Sequence, residues 1–189
     1  MKIGLYFGSF NPIHIGHCII ANEAVQTTDL DRVWIVVSPQ NPFKPAASLL
    51  NEYHRLHLVR LATEENPLIF ASDIEFHLPR PSYSIDTITY LHEKHPGHQF
   101  SIVMGSDGLR NLANWKNAAV LVKKCPLYVY RRDGFEMTTP LPATIIPIEA
   151  PLLQISSTHI REKIKLGKSV RYLVPDKVLE ELERYHYYR

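Results

Sequence analysis

Cysteine is scarce. The 189 residues hold two, Cys18 and Cys125, with no CxxC or CxxH spacing, which argues against a zinc site and against a disulfide framework. A reducing, cytoplasmic setting is the expectation. An excess of one charge is missing too: 21 basic and 19 acidic residues leave a formal +2, so no global field draws the chain toward nucleic acid or an anionic membrane. Any anion must be held locally. No stretch reaches about 18 apolar residues free of charge or proline, and no apolar leader precedes the first strand pattern, so neither a membrane span nor export is expected. Internal repeats, low-complexity tracts, a Gly-x-Ser-x-Gly elbow and a Walker A lysine loop are also absent, which sets aside the serine-hydrolase and P-loop chemistries.

What is present is an alternation. Apolar runs at Ile3 to Phe7, Val33 to Val37, Leu68 to Ser72, Phe100 to Met104, Leu127 to Tyr130 and Thr144 to Ile148 read as strands. Between several of them lie helical patterns. One opens at Gly16, with Ile19, Ile20, Ala24 and Val25 offered to a core. Asn51 caps a second running to about Glu65, with Leu56, Val59 and Ala62 on one face; a third follows Ser82 to Thr87 and stops before Pro96-Gly97. Two more close the chain, from Ser156 to Leu166, where Gly167 can end the helix, and from Pro175-Asp176, with Val178, Leu179 and Leu182 as its stripe. Strands alternating with helices predict an α/β, doubly wound, mostly parallel sheet, read as one domain over residues 1–189 with a helical portion at 155–189. Of ten histidines, His54 and His57 sit on a polar helical pattern, and His92, His95 and His98 surround Pro96-Gly97, so solvation is expected for these five.

The rest of the chain is organised around residues 3–17. The first strand stops at Gly8, where positive φ and close backbone approach of a ligand are allowed. Asn11-Pro12 signals a turn, and a helix follows. Strand, loop and helix in that order leave backbone N–H groups and a positive helix end at the carboxyl edge of the sheet, suited to a phosphate. His14 and His17, three apart, can point the same way and donate to one anion. Ser156, Ser157 and Thr158 make a second helix start of the same quality.

The run Gly8-Ser9-Phe10-Asn11-Pro12-x-His14-x-Gly16-His17 resembles the phosphate-binding signature of the HxGH nucleotidyltransferases. Further stretches extend the likeness: Asn-Pro-Phe-Lys-Pro at 41–45, Pro-Ser-Tyr-Ser-Ile-Asp-Thr at 81–87, Met-Gly-Ser-Asp at 104–107 followed by Trp115, and Ile-Ser-Ser-Thr-x-Ile-Arg at 155–161. In this order they resemble the bacterial nicotinate-nucleotide adenylyltransferases over nearly the whole chain, with Pro81 a departure from the family's usual glycine.

The resemblance implies a Rossmann-like nucleotidyltransferase fold and adenylyl transfer from ATP to nicotinate mononucleotide, with Mg²⁺ carried in by ATP. It implies His14, His17, Lys44 and Arg161 as catalytic groups on the polyphosphate. Gly8, Ser9, Phe10, Gly16, Gly105, Asp107, Ser156, Ser157 and Thr158 would bind ATP, and Asn11, Tyr83, Ser84, Ile85 and Trp115 the acceptor. Arg132 and Asp133, before Gly134, form a further edge loop near the nucleotide. No resident metal ligands are implied. Acceptors such as nicotinamide mononucleotide, a non-catalytic nucleotide-binding role and assembly into a homo-oligomer stay open at this point.

Overall fold

A computed structural model describes residues 1–40 and 49–189. Its centre is a sheet of six parallel strands among the described residues: β1 (Lys2–Gly8), β2 (Arg32–Val37), β3 (Ile69–Ser72), β4 (Gln99–Gly105), β5 (Leu127–Tyr130) and β6 (Ile145–Ile148), in the order 3-2-1-4-5-6. Central strands read as unbroken apolar runs because both faces are covered, and Pro147 is tolerated because β6 is an edge strand.

Helices cover both faces. One layer holds α1 (Ile15–Thr27), α2 (Glu52–Thr63), α6 (Ser157–Lys165) and α7 (Asp176–Arg184), packing Ile20, Leu56, Val59, Ile160, Val178 and Leu182 against Tyr6, Val33, Ile35 and Val37. The other holds α3 (Ser84–Lys94), α4 (Ser106–Asn111) and α5 (Ala118–Lys124), which pack Ile88, Leu109 and Leu121 on Ile3, Leu5, Ile102 and Leu127. The chain builds β1, β2 and β3 outward, then returns to lay β4 against the other side of β1. Strand order therefore reverses between β1 and β4, where loops diverge and leave a crevice at the strands' carboxyl ends. Gly8 and Gly105 are those ends.

Several local expectations need correction. Positive φ falls on Phe10 (45°), and Gly8 is not among the residues with positive φ: β1 stays extended through Gly8, and the turn comes two residues later. Gly8 is needed for space, since a Cβ there would stand 2.9 Å from the Phe10 ring. On α1 the buried residues are Gly16, Ile20, Ala21 and Ala24, while Ile19 and Val25 are only half-buried. β4 runs one residue past its apolar run, through Gly105, and α4 begins directly at Ser106. His92, His95 and His98 are half-buried. His92 and His98 meet Phe100, and His95 meets Trp34, because the amino edge of the sheet leaves those two aromatic rings to be covered. Among the described residues no helix is long and apolar enough to cross a membrane.

Candidate active site

The crevice at the switch point is a cleft of about 530 Å³, within the range of small-molecule sites. Gly8, Ser9, Phe10, Asn11, His14, Gly16, His17, Gly105, Asp107, Trp115, Ser156, Ser157, Thr158 and Arg161 all line it, although they come from four separate parts of the chain. Tyr83, Ser84 and Ile85 lie in an adjoining hollow of about 90 Å³ that shares Phe7, Gly8 and Trp115 with the cleft. Lys44 lies outside the described residues.

The two histidines are built by the start of α1. His14 is the residue before the helix and His17 falls in its first turn, so their rings stack with centroids 3.6 Å apart and planes 22° from parallel. Gly16 makes room for that stack, since a Cβ there would sit 3.1 Å from the His14 ring. The His14 backbone N–H donates to His17 Nδ1 at 3.3 Å. A ring nitrogen that accepts carries no proton, so in the neutral ring the proton is on Nε2, which becomes a donor. Beneath the pair, Phe10 meets the His17 ring edge-on at 5.0 Å and Tyr6 at 5.6 Å. Phe10, 3% exposed, thus supports a histidine more than it presents itself to a nucleotide. His14 is 4% exposed, and burial, reinforced by the Arg132 charge, lowers its ring from the ordinary 6.5 to about 4. At neutral pH it is uncharged.

The opposite wall is the start of α6. Of the three hydroxyls able to cap it, Ser156 does so, its Oγ accepting from the His159 N–H at 3.2 Å. Ser157 Oγ instead donates to the Pro12 carbonyl at 2.9 Å, tying this helix to the histidine loop. Arg161 donates to the Asn11 carbonyl at 2.8 Å and to Thr158 Oγ1 at 3.3 Å, so its guanidinium is aimed before any ligand arrives. Two helix amino ends therefore open on one cleft, with a guanidinium between them.

Asp107 bonds Arg132 at 2.9 Å, and the Arg132 N–H donates to the buried Ser106 Oγ at 2.9 Å. Arg132 is thereby fixed in the cleft, whereas Asp133 does not line it. Asn11 turns its side-chain oxygen inward, accepting from the Leu50 N–H at 3.1 Å and from the Tyr188 hydroxyl at 2.7 Å.

Three residues that matter here carry no legible signal in the sequence. Arg55, fully buried on α2, donates to the carbonyls of Leu50 (2.7 Å), Ser9 (2.6 Å), Ser38 (2.8 Å) and Pro39 (3.1 Å). One guanidinium so fixes the loops leaving β1 and β2 and the entry to α2. Glu75, 1% exposed, borders the smaller hollow and accepts from Thr87 Oγ1 at 3.0 Å; burial raises its carboxyl pKa. Lys116 lines the same hollow, 2.8 Å from Asp86 and 4.6 Å above the Tyr83 ring.

Comparison with known proteins adds relationship to geometry. The model of the cytidylyltransferase-like family matches residues 5–163. A protein of Cytophaga hutchinsonii named "Probable nicotinate-nucleotide adenylyltransferase" is 50% identical over 189 residues, covering 100% of this chain and 98% of its own. One of the same name from Flavobacterium psychrophilum is 47% identical over 192 residues, with 100% of both chains covered. Among solved structures, nicotinic acid mononucleotide adenylyltransferase of Plasmodium falciparum complexed with NaAD superposes with a TM-score of 0.84 at 20% identity, over 99% of this chain and 97% of that one. At that identity the superposition speaks for the fold.

Proposed function

The chain belongs to the cytidylyltransferase-like family, among its nicotinate-nucleotide adenylyltransferases, and from that membership we propose how the cleft joins ATP to nicotinate mononucleotide in NAD biosynthesis. The products are nicotinate adenine dinucleotide and pyrophosphate. An oxygen of the acceptor's phosphate forms a bond to the α-phosphorus of ATP. The bond from that phosphorus to the bridging oxygen breaks, and its electron pair leaves with pyrophosphate. Atoms balance without a proton transfer. A phosphate monoester has a second pKa of about 6 and is mostly dianionic at neutral pH, so the nucleophile arrives ionised and needs no general base.

The protein's part is then positioning and charge stabilisation. The observation that carries this reading is the stacked His14–His17 pair at one helix start and Arg161 on another, all three lining a single cleft. His17 donates from Nε2 to the oxygens on which charge builds. Arg161, with the amide N–H groups and hydroxyls of Ser156 to Thr158, holds the β and γ phosphates, and Lys44 adds a point charge. Gly8, Ser9 and Gly105 let the nucleotide approach the backbone, while Asp107 serves the ribose hydroxyls. The acceptor ring lies on Trp115, with its carboxylate toward residues 83–85. Mg²⁺ enters bound to ATP, since a triphosphate and water supply the oxygen ligands the ion prefers.

Pyrophosphate release measured with nicotinate mononucleotide, nicotinamide mononucleotide and phosphopantetheine as acceptors, each with and without excess chelator, tests this reading. Rapid turnover of the first, stopped by chelator, is expected. A chain that binds ATP and turns over no acceptor would be a nucleotide-binding module instead. Activity that survives excess chelator would remove the metal.

A further inference from the structure

After α7 the chain makes a compact strap. The Tyr185 N–H donates to the Glu181 carbonyl at 3.1 Å and the Tyr187 N–H to Leu182 at 3.1 Å, while His186 and Tyr188 adopt left-handed φ of 53° and 66°. Left-handed backbone disfavours residues with a Cβ, so contacts beyond the strap must hold it. Two hydroxyls supply them. Tyr187 meets Nδ1 of His54 on the outer side of α2 at 2.9 Å. Tyr188 reaches inward and donates to Asn11 Oδ1 at 2.7 Å, across 177 positions of sequence.

Asn11 is where that contact matters. Its Oδ1 also accepts from the Leu50 N–H, and its carbonyl accepts from Arg161. It stands between Phe10, which supports His17, and the segment that delivers His14. A group that fixes the Asn11 side chain therefore fixes the junction of the histidine loop, the entry to α2 and the guanidinium across the cleft. We propose that Tyr188 is a positioning residue for adenylyl transfer, its hydroxyl locking Asn11 and through it the relative placement of His14, His17 and Arg161.

The inference rests on the reaction proposed above, and its test separates the two. The intact chain and its Tyr188→Phe and Tyr187→Phe variants are compared by steady-state kinetics with ATP and nicotinate mononucleotide, and by amide hydrogen exchange at Leu50. One neutral hydrogen bond lost from a preorganised site predicts a drop in kcat of about three- to tenfold for Tyr188→Phe. Both KM values should stay within about twofold, the thermal midpoint should fall by only a few degrees, and the Leu50 amide should exchange faster. Tyr187→Phe, which loses a contact outside the cleft, should match the parent in kcat and in exchange. In an Asn11→Ala background, Tyr188→Phe should add no further loss. Parental kcat in Tyr188→Phe, equal losses in the two tyrosine variants, or additive losses with Asn11→Ala would overturn the proposal. If the parent turns over no acceptor, the proposed reaction fails, and Leu50 exchange alone decides whether Tyr188 positions the loop.

Discussion

His14 lies with its ring 3.6 Å above that of His17, and its backbone N–H donates to His17 Nδ1 at 3.3 Å, so one residue sets both the tilt and the tautomer of the other. The pair thus presents a donor whose orientation is fixed before substrate binds, the condition under which a hydrogen bond contributes most to a transition state. Replacing His17 by alanine should lower kcat about a hundred- to a thousandfold while raising the acceptor's KM only a few-fold. Kinetics on the purified variant measure it, and a kcat within a few-fold of the parent would remove His17 from the mechanism.

The depressed His14 pKa makes stability depend on pH. In the unfolded chain the ring takes a proton below its ordinary 6.5, whereas in the folded chain it resists until about 4. The unfolded state therefore binds more protons in that window, and stability is present above 6.5 and lost as pH falls toward 4. Between pH 7.5 and pH 5 this one group should account for a loss on the order of 2 kcal/mol, its folded value being about 4. Urea unfolding at the two pH values should show a smaller drop for His14→Gln than for the parent by about that amount. Equal drops would mean that the buried ring is not the source.

Much of this arrangement was legible in the sequence where the signal is local. The strand at Leu127–Tyr130 matches its apolar run residue for residue, and the histidine spacing and the Ser156 cap are set within a single turn of chain. What escaped depends on distant partners. Arg55 looks like one more charge on a polar helix face, because the four carbonyls that receive it belong to loops brought in by the sheet. Asp107 lies two residues past the end of β4, but its partner Arg132, 25 positions on, is brought to it by the sheet. A helix of six residues with an internal glycine has little propensity of its own and is held by tertiary packing, so α4 has no periodic pattern to announce it.

Arg55 should matter for stability before it matters for chemistry. Methionine there keeps much of the volume yet leaves the carbonyls of Ser9, Ser38, Pro39 and Leu50 without their donor in a fully buried place. Arg55→Met should reduce the free energy of unfolding by at least about 2 kcal/mol, and Arg55→Lys, which cannot span loops on both sides with a planar fork, by a smaller amount. Denaturant unfolding reads both. A loss below about 0.5 kcal/mol in Arg55→Met would show that water replaces the guanidinium without cost.

If the acceptor's ring substituent enters the smaller hollow, as proposed, selection between acid and amide is made there, the two acceptors differing by one charge and by a carboxylate in place of a donor-bearing amide. Trp115 borders both the cleft and the hollow; in the proposed pose its indole stacks on the ring, but both rings offer it the same face and stacking cannot select. Selection needs donors at the substituent. The helix α3 begins at Ser84, and the first N–H groups of a helix have no acceptor within it, leaving those of Ser84 and Ile85 to meet a ligand with the helix dipole behind them. Lys116, over the Tyr83 ring at 4.6 Å, is paired with Asp86 at 2.8 Å, so the rim carries an ion pair and the selecting donors are the amide N–H groups. A carboxylate accepts from these donors, whereas an amide NH₂ turned toward them sets donor against donor, a mispairing that can cost several kcal/mol when buried. The ratio of kcat/KM for nicotinate mononucleotide over nicotinamide mononucleotide should therefore be at least about a hundred, and Trp115→Ala should weaken both acceptors while leaving much of that ratio. Comparable kcat/KM values in the parent would sink the donor argument, and loss of the preference in Trp115→Ala alone would transfer selection to the indole.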